Sequence, residues 1–406
     1  MSDMQKVKPQ SWLFKIAILS ISLMLMIAPN IAAAIPLMAK TFSSQSASAV
    51  QTLSTIPNLG VIFGIFLGEV VTLRIGAKRT VMTGLTIALI AGVIPVFISN
   101  YTIVLVTRFL LGFGIGLFNS LTLSLISQFY EGNELATMMG FQSTVQNLGS
   151  SVLSFAVSYL IIFGWHATFL IYAIALPVML LFGAVVPNID RQDPHESKTA
   201  TTTSKPAARQ RLNTPVIAIS ILTFFVYVFF MVVTVQLSSL FAAQHIGSAS
   251  QASAVLGGLT LVSMLFSLFY GKLFKWIGSV ILPLGLFLMT IGFLLLSRMT
   301  AMGGVTVGVV IIGIGFAFTI PYIYTMVNVK APKGSENLAS SVMLIMTNAG
   351  VFLSPTVVNA LSGAFGHSGP VSAMVVCASG LFVLAIVTAV VVAIQMRSIR
   401  AATSEK

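Results

Sequence analysis

The chain alternates between long apolar runs and short breaks that contain polar residues or glycine. A helix needs about 20 apolar residues to cross the hydrocarbon core of a bilayer. Twelve runs meet that length, near 12–38, 49–73, 80–99, 103–129, 138–163, 168–186, 215–243, 253–274, 280–297, 303–329, 339–364 and 371–396. An open sheet would leave backbone groups unpaired in lipid, and these runs are too long for barrel strands. The pattern predicts an all-α membrane protein.

Composition supports the bilayer as the main solvent. Hydrophobic residues make up 57% of the chain and charged residues only 7%, whereas soluble domains carry about 25% charged residues. A net charge of +12 would suggest nucleic-acid binding in a soluble protein. Here the positive charges lie in the breaks between spans, where they orient a membrane protein, so we expect no nucleic-acid partner.

Lysine and arginine also predict the orientation. With the N-terminus in the cytoplasm, 18 of the 21 basic residues fall on the cytoplasmic side, only Lys40 and Arg298 fall outside, and Arg108 lies within a span. The first apolar run is too long for the core of a cleaved signal peptide. We expect a multi-pass protein of the plasma (inner) membrane, with both termini cytoplasmic.

The twelve spans form two related halves. A polar stretch at 188–213 reads as a cytoplasmic linker and separates a first half, 1–187, from a second, 214–406. At an offset of about 201 residues, Gly112 pairs with Gly313 and Gly114 with Gly315. Parallel repeats around a central site are one way in which secondary transporters are built. The sequence thus predicts 12 transmembrane helices, arranged as two pseudo-symmetric six-helix bundles around a central cavity.

Span four carries the one charge placed deep in an apolar run. Arg108 lies several residues inside the run, and its counterpart in span ten is Val309. A charge at this depth is costly and usually serves function, although an arginine that extends to the membrane surface is the alternative. Gly112 and Gly116 lie on the same stripe and would let a neighbouring helix approach closely.

Two motifs resemble those of the major facilitator superfamily. The loop after span two matches the family's basic loop motif at Arg74, Gly76, Lys78 and Arg79. The family's aspartate position holds Leu73, and Glu69, one turn earlier, either replaces that acid or is an interfacial carboxylate. The second motif is Arg-x-x-x-Gly in span four, at Arg108 and Gly112. The resemblance implies secondary transport by alternating access, with coupling or gating residues at Glu69, Arg74, Gly76, Lys78, Arg79 and Arg108.

The resemblance also implies that spans one, four, seven and ten line the cavity. In span one, Pro29 predicts a local break beside Asn30. The candidate substrate-binding residues, including polar groups of spans five and eleven, are Asn30, Arg108, Asn119, Gln142, Gln146, Tyr227, Thr234, Tyr322 and Asn348. Hydrogen bonding or packing between helices is the alternative role for each of them.

The nine acidic residues all lie at or near the expected cytoplasmic face. A buried cationic cargo would need a carboxylate, so the spans favour a neutral or anionic amphipathic molecule. The leading hypothesis is a secondary active transporter that performs proton-coupled efflux of amphipathic or drug-like compounds. A specific permease for an organic anion or another metabolite is the alternative, and a non-transporting sensor on the same fold is a third. The span-five Gly-Pro-x-x-Gly-Gly element, usual in the family's drug:proton antiporters, is missing; only Gly149 remains.

Enzymatic and ATP-driven functions have little support in the sequence. There is no phosphate-binding loop of the ATPase type, and we expect no enzymatic activity. One cysteine, Cys377, and four scattered histidines offer no metal site with the usual ligand spacing. We expect no cofactor and no metal, a small-molecule substrate, protons as a coupling ion, the lipid bilayer as partner, and a monomer.

Overall fold

The protein is all-helical in the part that the computed structural model describes. That part comprises residues 11–187, 212–332, 335–366 and 368–404, and every regular element in it is a helix. Eleven helices are long and apolar enough to cross a membrane, or twelve when one bent pair counts as a single span. The prediction of an all-α membrane protein is confirmed.

The chain divides into two compact units, Met1–Arg211 and Leu212–Lys406. Most of the predicted linker, residues 188–211, lies outside the described residues. Unit 1 contains α1 (Trp12–Ser20), α2 (Ile35–Thr41), α3 (Ala47–Ile75), α4 (Ala77–Val93), α5 (Tyr101–Phe129), α6 (Gly132–Leu160), α7 (Trp165–Thr168) and α8 (Ala175–Val185). Unit 2 contains α9 (Thr214–Ala243), α10 (Ala249–Ser267), α11 (Tyr270–Ile277), α12 (Ile281–Arg298), α13 (Met302–Lys330), α14 (Glu336–Ala364) and α15 (Pro370–Ser404).

Four of the long helices begin at a polar residue that caps the first turn. The side chains of Ser46, Asn100, Asn213 and Ser248 accept a hydrogen bond from a backbone N–H of α3, α5, α9 and α10 respectively. These N–H groups have no partner within the helix, and such a cap stabilises a helix by about 1 kcal/mol. The caps explain why these helices start where the apolar runs do.

The first span is broken in the middle. Two 3₁₀ segments, Ile21–Met26 and Ala28–Ala34, separate α1 from α2, and the span bends by 44° between Trp12–Met26 and Ala28–Thr41. Pro29 lacks a backbone N–H and fixes its φ angle, which interrupts helical hydrogen bonding. The predicted break beside Asn30 is confirmed.

A seam of glycines joins α3 to α5 in unit 1. A Cβ atom at Gly112 would lie 1.8 Å from the carbonyl oxygen of Pro57, and one at Gly116 would lie 2.5 Å from that of Val61. Contacts this short are sterically forbidden, so only glycine allows the two backbones to approach so closely. This confirms the close helix approach expected at Gly112 and Gly116.

The two units repeat one helix contact. In unit 1 a Cβ atom at Gly84 would lie 2.4 Å from the Gly114 carbonyl oxygen, where α4 meets α5. In unit 2 a Cβ atom at Gly285 would lie 2.8 Å from the Gly315 carbonyl oxygen, where α12 meets α13. Both residues of the second pair follow their counterparts by 201 positions, which supports the duplication read from the sequence.

Span eight differs from the prediction of one helix near 253–274. The structure ends α10 at Ser267 and begins the separate helix α11 at Tyr270. At an offset of 202 residues, Gly64 and Gly68 of α3 correspond to Phe266 and Tyr270. These large side chains cannot form the glycine seam that α3 forms with α5, which accounts for the break.

Candidate functional site: the break in the first span

The broken first span of unit 1 is contacted by side chains from three other spans. Its 3₁₀ segments leave a backbone less regular than that of an α-helix, and irregular backbone inside a membrane must find partners in the protein or in a water-filled cavity. Around the break those partners come from α5, from α6 and from the 3₁₀ segment Phe169–Ile174. We refer to the region from Met26 to Asn30, together with these contacts, as the span-one site.

Arg108 supplies most of the contacts from α5. Its side chain is completely buried. Nε donates to the Leu53 carbonyl oxygen of α3 at 2.9 Å, one terminal nitrogen donates to the Tyr172 hydroxyl and the other to the Ala28 carbonyl oxygen. The Tyr172 hydroxyl also donates to the Ala28 carbonyl oxygen, at 3.2 Å. Arg108 therefore links the break to spans two and six.

The guanidinium of Arg108 has only neutral partners. Its central carbon lies 5.2 Å from the ring centroid of Tyr172 and 5.8 Å from that of Phe169. The one ion pair among the described residues, Lys15–Glu134, does not involve it. An unpaired buried charge is costly, so aromatic faces and oriented carbonyl dipoles must replace water here. In this conformation a ligand has no exposed surface of Arg108 to touch.

Asn30 contacts α6 from the other side of the break. Its Oδ1 accepts a hydrogen bond from Ser154 Oγ at 3.2 Å. Its Nδ2 is buried and has no partner within the part of the chain that the structure describes. A buried donor without an acceptor costs about 1–3 kcal/mol. Asn30 can thus donate to a hydroxyl or carbonyl group that enters the site.

A second link from span one to α6 lies near one membrane face. Lys15 of α1 forms an ion pair with Glu134 of α6 at 2.7 Å, and its ammonium lies 5.5 Å from the ring centroid of Tyr130. Burial, together with the negative charge of Glu134, raises the pKa of Tyr130 to about 12. The tyrosine stays neutral at physiological pH, and span one is held to α6 at two heights.

The other predicted substrate residues of unit 1 are not among the described hydrogen-bond partners at the break. Gln142 is buried, whereas Asn119 and Gln146 are half-buried. None of the described hydrogen bonds of Arg108 and Asn30 involves these three residues. The structure thus brings Asn30 and Arg108 together around the break.

In unit 2 one of the predicted substrate-binding residues, Tyr227, belongs to an aromatic cluster between α9 and α13. Phe230 stacks on Phe316 with ring centroids 3.7 Å apart, and Tyr227 meets Phe316 edge-on at 5.7 Å. The remaining candidates are half-buried or buried, namely Thr234, Tyr322 and Asn348. The Asn348 amide nitrogen donates to the Leu344 carbonyl oxygen of its own helix at 2.9 Å.

Apart from Arg108, the predicted coupling residues lie in or near a tight turn between α3 and α4. Gly76 has a φ of +86°, a conformation that glycine adopts without strain. Lys78 donates to the Gly183 carbonyl oxygen near the end of α8, at 2.7 Å. The remaining members of this set are exposed, namely Glu69, Arg74 and Arg79.

Sequence reasoning missed Tyr172 and the Lys15–Glu134 pair. A tyrosine in an apolar run carries a signal, because its hydroxyl needs a partner in the membrane. Nothing in the sequence shows which partner that is. Among the described residues, no group of three or more His, Cys, Asp and Glu side chains could hold a metal ion.

Known proteins resemble this chain in sequence and in fold. Residues 16–355 match the family model of the Major Facilitator Superfamily. An uncharacterized transporter of Rickettsia bellii is 27% identical over 146 residues, which cover 34% of this chain and 35% of that protein. A second uncharacterized transporter, from Rickettsia felis, is 27% identical over 143 residues, 34% of each chain. The matched stretch thus spans about a third of these curated relatives.

Solved structures share the fold at low sequence identity. A D-xylose-proton symporter has a TM-score of 0.72 at 16% identity, with 93% of this chain and 97% of that chain covered. A nucleoside transporter has a TM-score of 0.73 at 14% identity, with 93% and 99% covered. The peptide transporter POT in complex with sulfate has 0.73 at 12%, with 98% and 99% covered. With the family model matching most of its length, this chain belongs to the Major Facilitator Superfamily of membrane transporters.

Proposed function

We propose that the protein is a secondary active transporter that moves a small amphipathic organic molecule by alternating access. The molecule is exported from the cell, and the proton gradient drives its export. Family membership supports transport, and the sequence contains no phosphate-binding loop for ATP. A protein of the same fold is a D-xylose-proton symporter, which supports a proton as the coupling ion.

The proposed cargo class rests mainly on one observation: Arg108 is completely buried, and each of its three nitrogens donates to a neutral group of its own unit. Three of its five N–H donors are already bound to Leu53, Tyr172 and Ala28. A cation held in this way is a poor ligand for an organic anion. The role of Arg108 is then to hold the broken span in place and to transmit its movement to α3 and to the segment around Tyr172.

The described acids disfavour a cationic cargo. Glu69, Glu131 and Glu134 are the three acids whose side chains the structure describes, and all three are exposed. A permanent cation would lose its hydration without gaining a carboxylate. A neutral amphiphile that accepts a hydrogen bond from Asn30 and packs against aromatic rings fits the described groups better.

Roles follow for the remaining candidates. Asn30 donates to the cargo, while the side chains of Asn119, Gln142, Gln146, Tyr227, Thr234, Tyr322 and Asn348 supply further polar and aromatic contacts. Glu69 and the turn at Arg74, Gly76, Lys78 and Arg79 serve coupling or gating. The protein acts as a monomer in the plasma membrane, with both termini cytoplasmic.

The proposal is tested first by ligand binding and then by transport. A thermal-shift screen of the purified protein against neutral amphiphiles, organic anions and cationic dyes selects a ligand, and its transport is then measured in proteoliposomes with and without a pH gradient. We expect neutral amphiphiles to stabilise the protein and the gradient to accelerate their flux. Tighter binding of matched carboxylates would replace this cargo class with the organic-anion permease, and a flux that ignores the gradient would refute proton coupling.

Two asparagines provide a matched pair of variants. Asn30→Ala should abolish the ligand-induced thermal shift, because the variant lacks the donor without a partner. Asn58→Ala should keep the shift, because Asn58 Nδ2 already donates to the Thr55 carbonyl oxygen at 3.1 Å within α3. Equal shifts in both variants would remove Asn30 from the binding site.

A further inference from the structure

The break between α10 and α11 leaves a groove on the surface of unit 2. The groove has a volume of about 420 Å³ and lies between the end of α10, α11 and α13. Its lining consists of four aromatic rings, one leucine and one lysine, namely Phe266, Phe269, Lys272, Leu273, Trp276 and Phe318. We refer to it as the α11 groove.

The residues of the α11 groove change in chemistry along its length. Phe266 and Phe269 precede Lys272 and Trp276 in the chain, and the turn at Gly278 follows. At about 1.5 Å of rise per residue, Lys272 lies about 9 Å before that turn and Trp276 about 3 Å. The groove is therefore apolar at its α10 end and carries an ammonium and an indole near the Gly278 turn. Amphipathic side chains of this kind anchor helices at a membrane face.

The outer side of α11 is exposed, whereas its inner side packs on α13. Tyr270, Leu273 and Phe274 turn inward, where Phe274 lies 6.0 Å from Tyr322 of α13 between ring centroids. Trp276, by contrast, is 85% exposed, and Phe269 is 57% exposed. In a membrane protein such a surface contacts lipid, and its composition determines which lipid.

The charged side chains that the structure describes on this membrane face of unit 2 all have one sign. The face contains the start of α9 and the end of α13, which meet where Asn213 Nδ2 donates to the Lys330 carbonyl oxygen at 2.8 Å. They are four exposed cations, namely Lys272, Lys275, Lys330 and Arg397. Neither lysine of α11 has an ion-pair partner among the described residues.

We propose that the α11 groove is a binding site for one anionic phospholipid of the surrounding bilayer. The acyl chain lies along Phe266, Phe269 and Phe318, and the phosphate is bound by the ammonium groups of Lys272 and Lys275. Trp276 sits at the level of the headgroup. The corresponding stretch of unit 1 cannot form this site, because α3 continues unbroken through Gly64 and Gly68 to Ile75 and packs closely on α5.

Trp276 provides a direct reporter of this site. The chain has three tryptophans, so the variant W12F/W165F leaves Trp276 alone. Its fluorescence is measured in bilayers of phosphatidylcholine that contain increasing fractions of brominated phosphatidylglycerol, and in parallel with brominated phosphatidylcholine. We expect quenching at a lower mole fraction of the anionic lipid. Equal quenching by the two lipids would overturn the proposal, since the groove would then be solvated by any acyl chain.

Substitution of the lysines tests the phosphate contact. Each lysine near an anionic lipid contributes about a fivefold preference, so the variant K272Q/K275Q should lose about thirtyfold. K330Q removes a cation from the same face outside the groove and should keep the preference. A preference that survives in K272Q/K275Q, or that falls equally in K330Q, would attribute it to general surface charge and overturn the site.

Native mass spectrometry gives a second measurement that keeps all three tryptophans. Protein released from mixed-lipid nanodiscs should retain one phosphatidylglycerol more in the wild type and in K330Q than in K272Q/K275Q. Equal numbers of retained lipids in all three proteins would also refute the site. Neither measurement depends on transport, so a failure here is distinct from a failure of the proposed function.

Discussion

Alanine at Gly112 should push α3 and α5 apart at the point where Arg108 binds. The new Cβ atom would lie 1.8 Å from the Pro57 carbonyl oxygen, whereas ordinary contacts between such atoms are about 3.5 Å. The two backbones must therefore separate by about 1.7 Å, and overpacking of this kind costs about 1–3 kcal/mol. The higher helix propensity of alanine offsets about 1 kcal/mol of this loss of stability.

The same separation weakens the hydrogen bond from Arg108 Nε to the Leu53 carbonyl oxygen. That bond is 2.9 Å long, and a further ~1.7 Å removes it. A hydrogen bond to a charged group contributes about 1.5–3 kcal/mol. We expect Gly112→Ala to lower the free energy of unfolding by about 1.5–5 kcal/mol in total. Transport should fall as well, because Arg108 loses its contact with span two.

The repeat supplies the control, Gly313→Ala. A Cβ atom there would lie 3.1 Å from Ser263 Oγ and 3.2 Å from the Leu259 carbonyl oxygen. The neighbours need to yield by only a few tenths of an ångström, so the helix propensity of alanine should leave stability unchanged or slightly higher.

Thermal denaturation of the purified proteins in detergent, followed by the monodisperse fraction in size-exclusion chromatography, compares the two variants. We expect the midpoint of Gly112→Ala to fall by about 5 °C or more relative to Gly313→Ala. Equal midpoints would refute the glycine seam as the determinant of this contact. A less stable Gly112→Ala protein that transports at the wild-type rate would separate the seam from the role of Arg108.

Two further predictions concern the other links to span one. Tyr172→Phe removes one acceptor from Arg108 and should lower the free energy of unfolding by about 1–3 kcal/mol and abolish most of the transport. The control Tyr159→Phe, at a tyrosine that is 63% exposed, should change neither stability nor transport. Equal stability and transport in the two variants would contradict the buried network. In a double-mutant cycle with Lys15→Gln and Glu134→Gln, the partly exposed pair should show a coupling energy of about 0.5 kcal/mol that declines as salt is added. A coupling energy above about 2 kcal/mol that does not change with salt would show that water does not screen the pair.

Much of the fold could be predicted because each membrane span is encoded by one continuous stretch of the sequence. Apolar runs long enough for a bilayer mark the spans directly, and Pro29 marks the break in the first of them. The end of α10 was harder to place, because its apolar run continues through Phe269. The break there depends on whether the side chains at Phe266 and Tyr270 allow close packing on α13, which is a property of two helices and not of one.

The candidate site was predictable only in part, for a related reason. The depth of Arg108 in an apolar run shows that its charge must be compensated. The compensating groups include the backbone carbonyls of Ala28 and Leu53. Because every residue has a backbone carbonyl, the sequence does not show which ones bind Arg108. Tyr172 lies 64 positions after Arg108, and only the fold brings the two side chains together.

The repeat allows a direct test of whether these partners make the charge tolerable. Val309 occupies the position of Arg108 in unit 2 and is 1% exposed, beside a groove of about 380 Å³ between α10 and α13. The residue 201 positions after Tyr172 is Ala373, which has no hydroxyl to offer. Val309→Arg would therefore bury a guanidinium without its tyrosine partner, at a cost of about 2.5–3.5 kcal/mol or more.

We expect Val309→Arg to reduce the yield of folded protein sharply and Val309→Met, an apolar change of similar bulk along the helix, to leave it near the wild-type level. Fluorescence-detected size-exclusion chromatography of a tagged protein measures both yields. Normal yield and transport in Val309→Arg would mean that this bundle accepts a buried arginine without dedicated partners. The contacts of Arg108 with Tyr172 and the span-one break would then be a consequence of its position and not the reason that the charge is there.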